Sequence, residues 1–148
     1  MVRVQLALIG FVVLLLALNA CGQDSYSQAQ RLYSRVGLAG AVATYMPAAQ
    51  RNDAQAEFYV GTMYVFEASS AKIRANNWSK AKEMENAALQ WFRRSRQHGS
   101  QKARRLLDIV DANDSSVLYV SLQYIINGTK PPPESSFPSK RTPTGSRR

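Results

Sequence analysis

Cys21 is the only cysteine in the 148-residue chain, and its neighbours specify a chemistry for it. A thiolate is the strongest side-chain nucleophile near neutral pH and a natural point for attaching a carbon chain. Ahead of it lie a single cation, Arg3, a charge-free apolar run from Leu6 to Leu18, and then Asn19 and Ala20. A basic start, a short apolar run and a small residue at the exit form the layout of a signal peptide. A bilayer core about 30 Å thick needs roughly 20 apolar residues to cross it, and this run is shorter and ends without a basic stop. It is therefore expected to be cleaved rather than to remain as a span. With no second cysteine, an internal disulfide is excluded, although an exported compartment would permit one.

The remaining reactive groups are few. His98 is the only histidine and stands beside Gly99, where it is expected as an exposed residue at a helix C-terminus, favourable to the helix dipole when protonated. The acidic residues are scattered rather than paired, and no metal-ligand spacing, phosphate-cradling glycine loop or nucleophile elbow occurs. The sequence predicts no catalytic residue, no metal, no cofactor and no small-molecule substrate, hence not an enzyme. The net charge of +9 points to acidic partners. In an exported protein these are anionic lipid, lipopolysaccharide, cell-wall polymer or an acidic protein rather than nucleic acid, for which no aromatic and basic interleaving appears. The densest cationic group, Arg93, Arg94, Arg96, Lys102, Arg104 and Arg105, is the candidate anion-binding cluster, or else a solvated face.

The segment LNAC at 18–21 resembles the lipobox of bacterial lipoproteins. Leu18, Ala20 and Cys21 fit that pattern, and Asn19 is a less usual middle residue. The resemblance implies cleavage before Cys21, lipid attachment to its sulfur and acylation of the freed amino group. Several acyl chains, at about 0.8 kcal/mol per buried methylene, make a durable anchor where one myristoyl chain does not. Gly22, standing where aspartate would favour inner-membrane retention, implies an outer-membrane lipoprotein facing the periplasm.

Behind Cys21 the pattern is helix after helix. Ser25 and Gln28 suggest a capping box before Ala29, Leu32, Tyr33 and Val36, with Gly37 and Gly40 interrupting. A second helix is expected over Ala41 to Gln50, which Pro47 should end or kink, and Asn52 with Asp53 reads as a tight turn. Ala56, Val60, Met63 and Tyr64 then form one stripe, with Gly61 beside it for a close helix approach. Residues 67–79 are polar and aperiodic and read as a connection, with Ser79 capping the next helix. That helix carries Met84, Ala88, Trp91, Phe92 and Ser95 on one side and stops at Gly99; another runs from Ala103 to Val110. Residues 117–127 fit a buried helix or a strand, and helix is expected because a lone strand would have no partner. From residue 129 onward, prolines, serines and cations make a tail too poor in apolar surface to order itself.

One pattern recurs. Residues 41–56 align without a gap on residues 88–103, pairing Tyr45 with Phe92, Ala48 with Ser95, Asn52 with Gly99 and Ala56 with Ala103. These residues resemble the Sel-one-like repeat, a relative of the tetratricopeptide repeat. Ala56, Val60, Gly61 and Tyr64 match its first helix; Ala88, Trp91, Phe92, Ser95 and Gly99 match its second, with Ser95 and Arg96 in place of two alanines. The usual Gly-x-Gly-Val loop is absent, and the stretch from Tyr64 to Ala88 is longer than the family's. Tyr64, Trp91 and Phe92 could line a peptide groove, but at helical spacing they read as core.

The expected architecture is all-α: a short α-α hairpin repeat, solenoid-like module over 21–128 after a signal peptide at 1–20, followed by a disordered basic tail at 129–148. The resemblance implies a protein-interaction scaffold or adaptor, with an immunity lipoprotein or a secretion-system accessory within that class. The alternative is a structural envelope protein whose basic tail binds cell-wall polymer or lipopolysaccharide.

Overall fold

The computed structural model describes residues 25–113 and 115–128; the signal segment, Cys21 and the tail lie outside them. Five α-helices make up this part of the chain, and no strand occurs among the described residues. They are α1 (Ser25–Ala49), α2 (Ala54–Ala75), α3 (Trp78–Gln97), α4 (Gln101–Ala112) and α5 (Leu118–Asn127), with a 3₁₀ turn, Ser115–Val117, leading into α5. Short links make sequential helices antiparallel neighbours. The α2–α3 hairpin is the most extensive contact; α1 packs on α2, α4 on α3, and α5 on α4 and α2.

Local chemistry explains most of the boundaries. Gly37 takes φ 69° and ψ −174°, leaving helical geometry and dividing α1 into two segments. Gly40 stays helical, so only one of the two glycines interrupts. Pro47 falls in the last turn of α1, which ends at Ala49, consistent with a residue that has no amide proton to donate. Asn52 is left-handed at φ 64°, and Asp53 caps α2, its carboxylate accepting from the amides of Gln55 and Ala56 at 2.9 Å each. Ser100 caps α4 by accepting from the amide of Ala103 at 3.2 Å. The helix α4 begins at Gln101, just after that cap, rather than at Ala103.

The largest departure from the sequence reading is at 67–79. This stretch is not a connection: α2 continues to Ala75 and α3 starts at Trp78, leaving only Asn76 and Asn77 between them. Asn76 turns the chain with φ 47°, and Asn77, not Ser79, caps α3 by accepting from the amide of Lys80 at 2.9 Å. The periodicity is lost for a physical reason. Residues 56 to 63 of α2 are all buried, so no polar face marks the helix there. Farther along, Ala68 and Ala71 keep a narrow buried stripe made of small side chains, which hydropathy registers weakly although alanine is the best helix former.

The core centres on α2. Phe58, Met63, Phe92, Leu106, Leu107, Leu118 and Leu122 are among its fully buried side chains. Aromatic pairs stitch α2 to its neighbours: Phe58 with Phe92 at 5.3 Å, Tyr45 with Tyr59 at 5.2 Å and Tyr33 with Phe66 at 5.5 Å between ring centres.

Candidate functional site

The residues of the aligned repeat come together along the α2–α3 hairpin. Ala56, Val60 and Gly61 on α2 are buried, as are Ala88, Phe92 and Ser95 on α3, while Tyr64 and Trp91 are half-buried at the margin. Gly61 lies directly against the Phe92 ring: a β-carbon there would stand 2.7 Å from Cε1 and 2.9 Å from Cδ1. Ser95 donates its hydroxyl hydrogen to the carbonyl of Ala54 at 2.7 Å, tying the end of α3 to the first turn of α2.

The two aligned helix ends also share a backbone geometry. At the end of α1 the amide of Asp53 donates to the carbonyl of Ala48 and that of Asn52 to Ala49; at the end of α3 Ser100 donates to Ser95 and Gly99 to Arg96. Each pair is a six-to-one bond wrapped around a five-to-two bond, with the left-handed residue, Asn52 or Gly99 at φ 99°, in the same place. A capping side chain follows directly in both cases. The residues paired in the alignment thus occupy equivalent hydrogen-bonded positions.

Beside Ser95 sits a charged lock that the sequence reading did not single out. Glu57, in the first turns of α2, has no exposed surface; one carboxylate oxygen accepts from Arg94 Nε at 3.1 Å and the other meets His98 Nδ1 at 2.7 Å. The Arg94 guanidinium also lies over the Trp91 ring at 4.9 Å. The polarity suits both helices, a carboxylate near the N-terminus of α2 and the Arg94 guanidinium near the C-terminus of α3. His98 is thus more than an exposed helix end: its side chain is 30% exposed and its δ nitrogen is engaged. Through both carboxylate oxygens the group joins the start of α2 to the end of α3. A clue in the sequence was a glutamate four residues after the capping Asp53, where only burial converts a common first-turn acid into a lock.

Arg94 therefore separates from the rest of the cationic cluster. Arg93, Arg96, Arg104 and Arg105 are exposed and Lys102 is half-buried, all around the α3–α4 link. Lys102 and Arg105 border a cavity of about 370 Å³ together with Gln101, Ile125, Ile126, Asn127 and Gly128. The first turn of α4 contains no acid, so its cations add to the partial positive charge of the helix N-terminus instead of cancelling it. The result is a concentrated positive potential next to two isoleucines. That chemistry suits an acidic, partly apolar surface.

The opposite end of the bundle carries a second polar group. Glu67 accepts from Tyr33 Oη at 2.8 Å and from Lys80 Nζ at 2.5 Å, and Lys72 pairs with Glu85. The Lys80 hydrogen bond, with that of Tyr33, holds the Glu67 carboxyl below its ordinary range. Burial, then the hydrogen bond to Glu67 and its negative charge, push the Tyr33 phenol up to about 12.

Among the described residues no three His, Cys, Asp or Glu side chains gather as a metal site, and no helix is long and apolar enough to cross a membrane. Comparison with protein-family models, with curated proteins and with solved structures gives no match.

Proposed function

We propose that this chain is an envelope lipoprotein, anchored through lipid on Cys21, whose helical bundle is a protein-interaction module of the α-α hairpin repeat kind. The observation that carries the anchor is Cys21 itself, alone of its type and placed directly behind an uncharged apolar run in the context LNAC. Support for the repeat comes from the matched hydrogen bonds at the ends of α1 and α3. The outer membrane, facing the periplasm, is the location that Gly22 favours.

The bundle's work in this reading is recognition, not catalysis. Its basic end, with Lys102 and Arg105 on the cleft bordered by Ile125 and Ile126 and Arg93, Arg96 and Arg104 exposed about the α3–α4 link, receives an acidic patch on another envelope protein. An immunity lipoprotein or a secretion-system accessory would use such a surface alike.

Metabolic labelling with a palmitate analogue in a bacterial host tests the anchor. The parent chain takes up label and fractionates with membranes as a product shortened by the signal segment. Cys21→Ser abolishes the label and leaves an uncleaved or soluble form. A Cys21→Ser chain that is still cleaved and still fractionates with membranes rejects the anchor.

A further inference from the structure

Resting on the reading that Cys21 carries lipid, we propose that the end of the bundle bearing Ile73, Trp78 and Tyr119 lies on the bilayer, with Ile73 and Trp78 in the headgroup region.

Large apolar side chains scattered singly over a surface need no explanation, but here they cluster. Ile73 is 81% exposed and Trp78 64%, more than any other large hydrophobic residue among those described. Val36 on α1, at 46%, stands outside this group, and Tyr119 and Val120 on α5 follow at 45% and 44%. Ile73 and Tyr119 together border two adjoining cavities, of about 290 and 140 Å³. Trp78 joins this group through Lys72, which also borders the smaller cavity and whose ammonium lies 5.8 Å from the indole centre. The indole N–H already donates to Asn76 Oδ1 at 2.9 Å, so the ring can leave water without orphaning its donor.

The surrounding charge selects the occupant. Lys72 and Lys80 lie beside the patch, paired with Glu85 and Glu67, and Arg74 borders the larger cavity; with Lys82 and Glu83 of α3, four cations face three carboxylates and leave a small positive excess. A second copy would bring that same small positive excess against itself. An anionic lipid surface complements it, and a tryptophan flanked by basic residues is the composition that settles at a membrane interface.

Position decides which face the bilayer meets. Gln30 and Tyr33 of α1 share the larger cavity with Ile73 and Arg74 of α2. Since the two helices are antiparallel, Ser25, about 7.5 Å beyond Gln30, comes level with the Asn76–Asn77 turn. Four residue-to-residue steps along the chain join Cys21 to Ser25 and reach at most about 14 Å. A lipid on Cys21 therefore keeps this end, and not the α3–α4 link at the far end of α3, beside the membrane at high effective concentration.

The chain has two tryptophans, Trp78 and Trp91, so Trp91→Phe and Trp78→Phe each leave one reporter. The full-length lipidated variants are reconstituted into vesicles of phosphatidylethanolamine and phosphatidylglycerol, and acylation of Cys21 is checked separately by mass spectrometry. In Trp91→Phe, emission is expected to shift to the blue on reconstitution and to fall at least twofold when the lipids are brominated high on the acyl chain. Adding Ile73→Asp should reduce that quenching, and Trp78→Phe should respond to neither treatment. Acylated protein whose Trp78 stays water-like and open to iodide overturns the membrane face while the anchor stands. A blue shift that follows protein density and ignores brominated lipid assigns the patch to a second copy and overturns it too. Missing acylation is read independently and rejects the anchor.

Discussion

Glu57 and Glu67 show how much a carboxylate's meaning depends on what surrounds it. Both lie on α2, yet Glu57 is sealed between Arg94 and His98, whereas Glu67 is shared by Tyr33 and Lys80. Glu57→Gln removes the buried charge that Arg94 pairs with and one of the two acceptor oxygens shared by Arg94 and His98. This should cost about 1 to 3 kcal/mol in urea unfolding; a loss below a few tenths would mean that the lock is not holding α2 to α3. The second cluster makes stability depend on pH at both extremes. The Glu67 carboxyl is held below its ordinary value, so its contribution is complete above the unfolded value of 4.5 and is lost as pH falls through the lower folded value. Tyr33 has the opposite sign: raised from 10.0 to about 12, it stabilises fully below pH 10 and loses that contribution as pH climbs toward 12. Tyr33→Phe should flatten the alkaline limb of the stability curve, with a residual slope from Tyr45, whose phenol is also raised by burial. Curves for parent and variant that run parallel from pH 10 to 12 would refute the assignment.

At the level of elements, the hairpin depends on one missing side chain. Alanine is normally better than glycine inside a helix by up to about 1 kcal/mol. At position 61 the added carbon meets the edge of Phe92, a fully buried ring with nowhere to swing. Gly61→Ala should therefore destabilise by about 1 to 3 kcal/mol despite its propensity, and Phe92→Leu in the same chain should return part of the loss. A midpoint of chemical denaturation that rises with Gly61→Ala would show that the helices have room to spare. Helix ends were the most legible elements in the sequence. Asn52 with Asp53, and Gly99 with Ser100, announce a left-handed stop and a cap through side chains acting within a few residues. The continuation of α2 through 67–75 was hidden, because its buried stripe there is only Ala68 and Ala71, small side chains that hydropathy registers weakly, while the one large apolar residue, Ile73, is exposed.

For the whole molecule, the helix order leaves two surfaces that α5 links: a basic cleft between the start of α4 and the end of α5, bordered by Ile125 and Ile126, and an apolar patch around the end of α2 and the start of α3, bordered by Tyr119 at the start of α5. The proposed division of labour sends the first toward a partner and the second toward lipid. Reversing charge with Lys102→Glu and Arg105→Glu together should weaken binding of a fluorescent oligoglutamate peptide about tenfold, equivalent to about 1.4 kcal/mol. Deleting residues 129–148 should change it little. If the deletion collapses binding and the double substitution does not, the basic tail is the binding element and the structural envelope role is the better reading. Salt should weaken whichever contact is real, since exposed charges are screened.

Sequence alone determined the features set by neighbours along the chain: the apolar run ending at Cys21, the all-helical character, and the stops and caps at Asn52–Asp53 and Gly99–Ser100, whose hydrogen bonds span five residues or fewer. Tertiary structure alone decided that Glu57 is buried between Arg94 and His98, that α2 runs unbroken to Ala75, and that Ile73, Trp78 and Tyr119 share one end. Those facts depend on which helices pack together and in which direction. Burial and ion pairing between residues far apart in the chain exist only once that packing has formed.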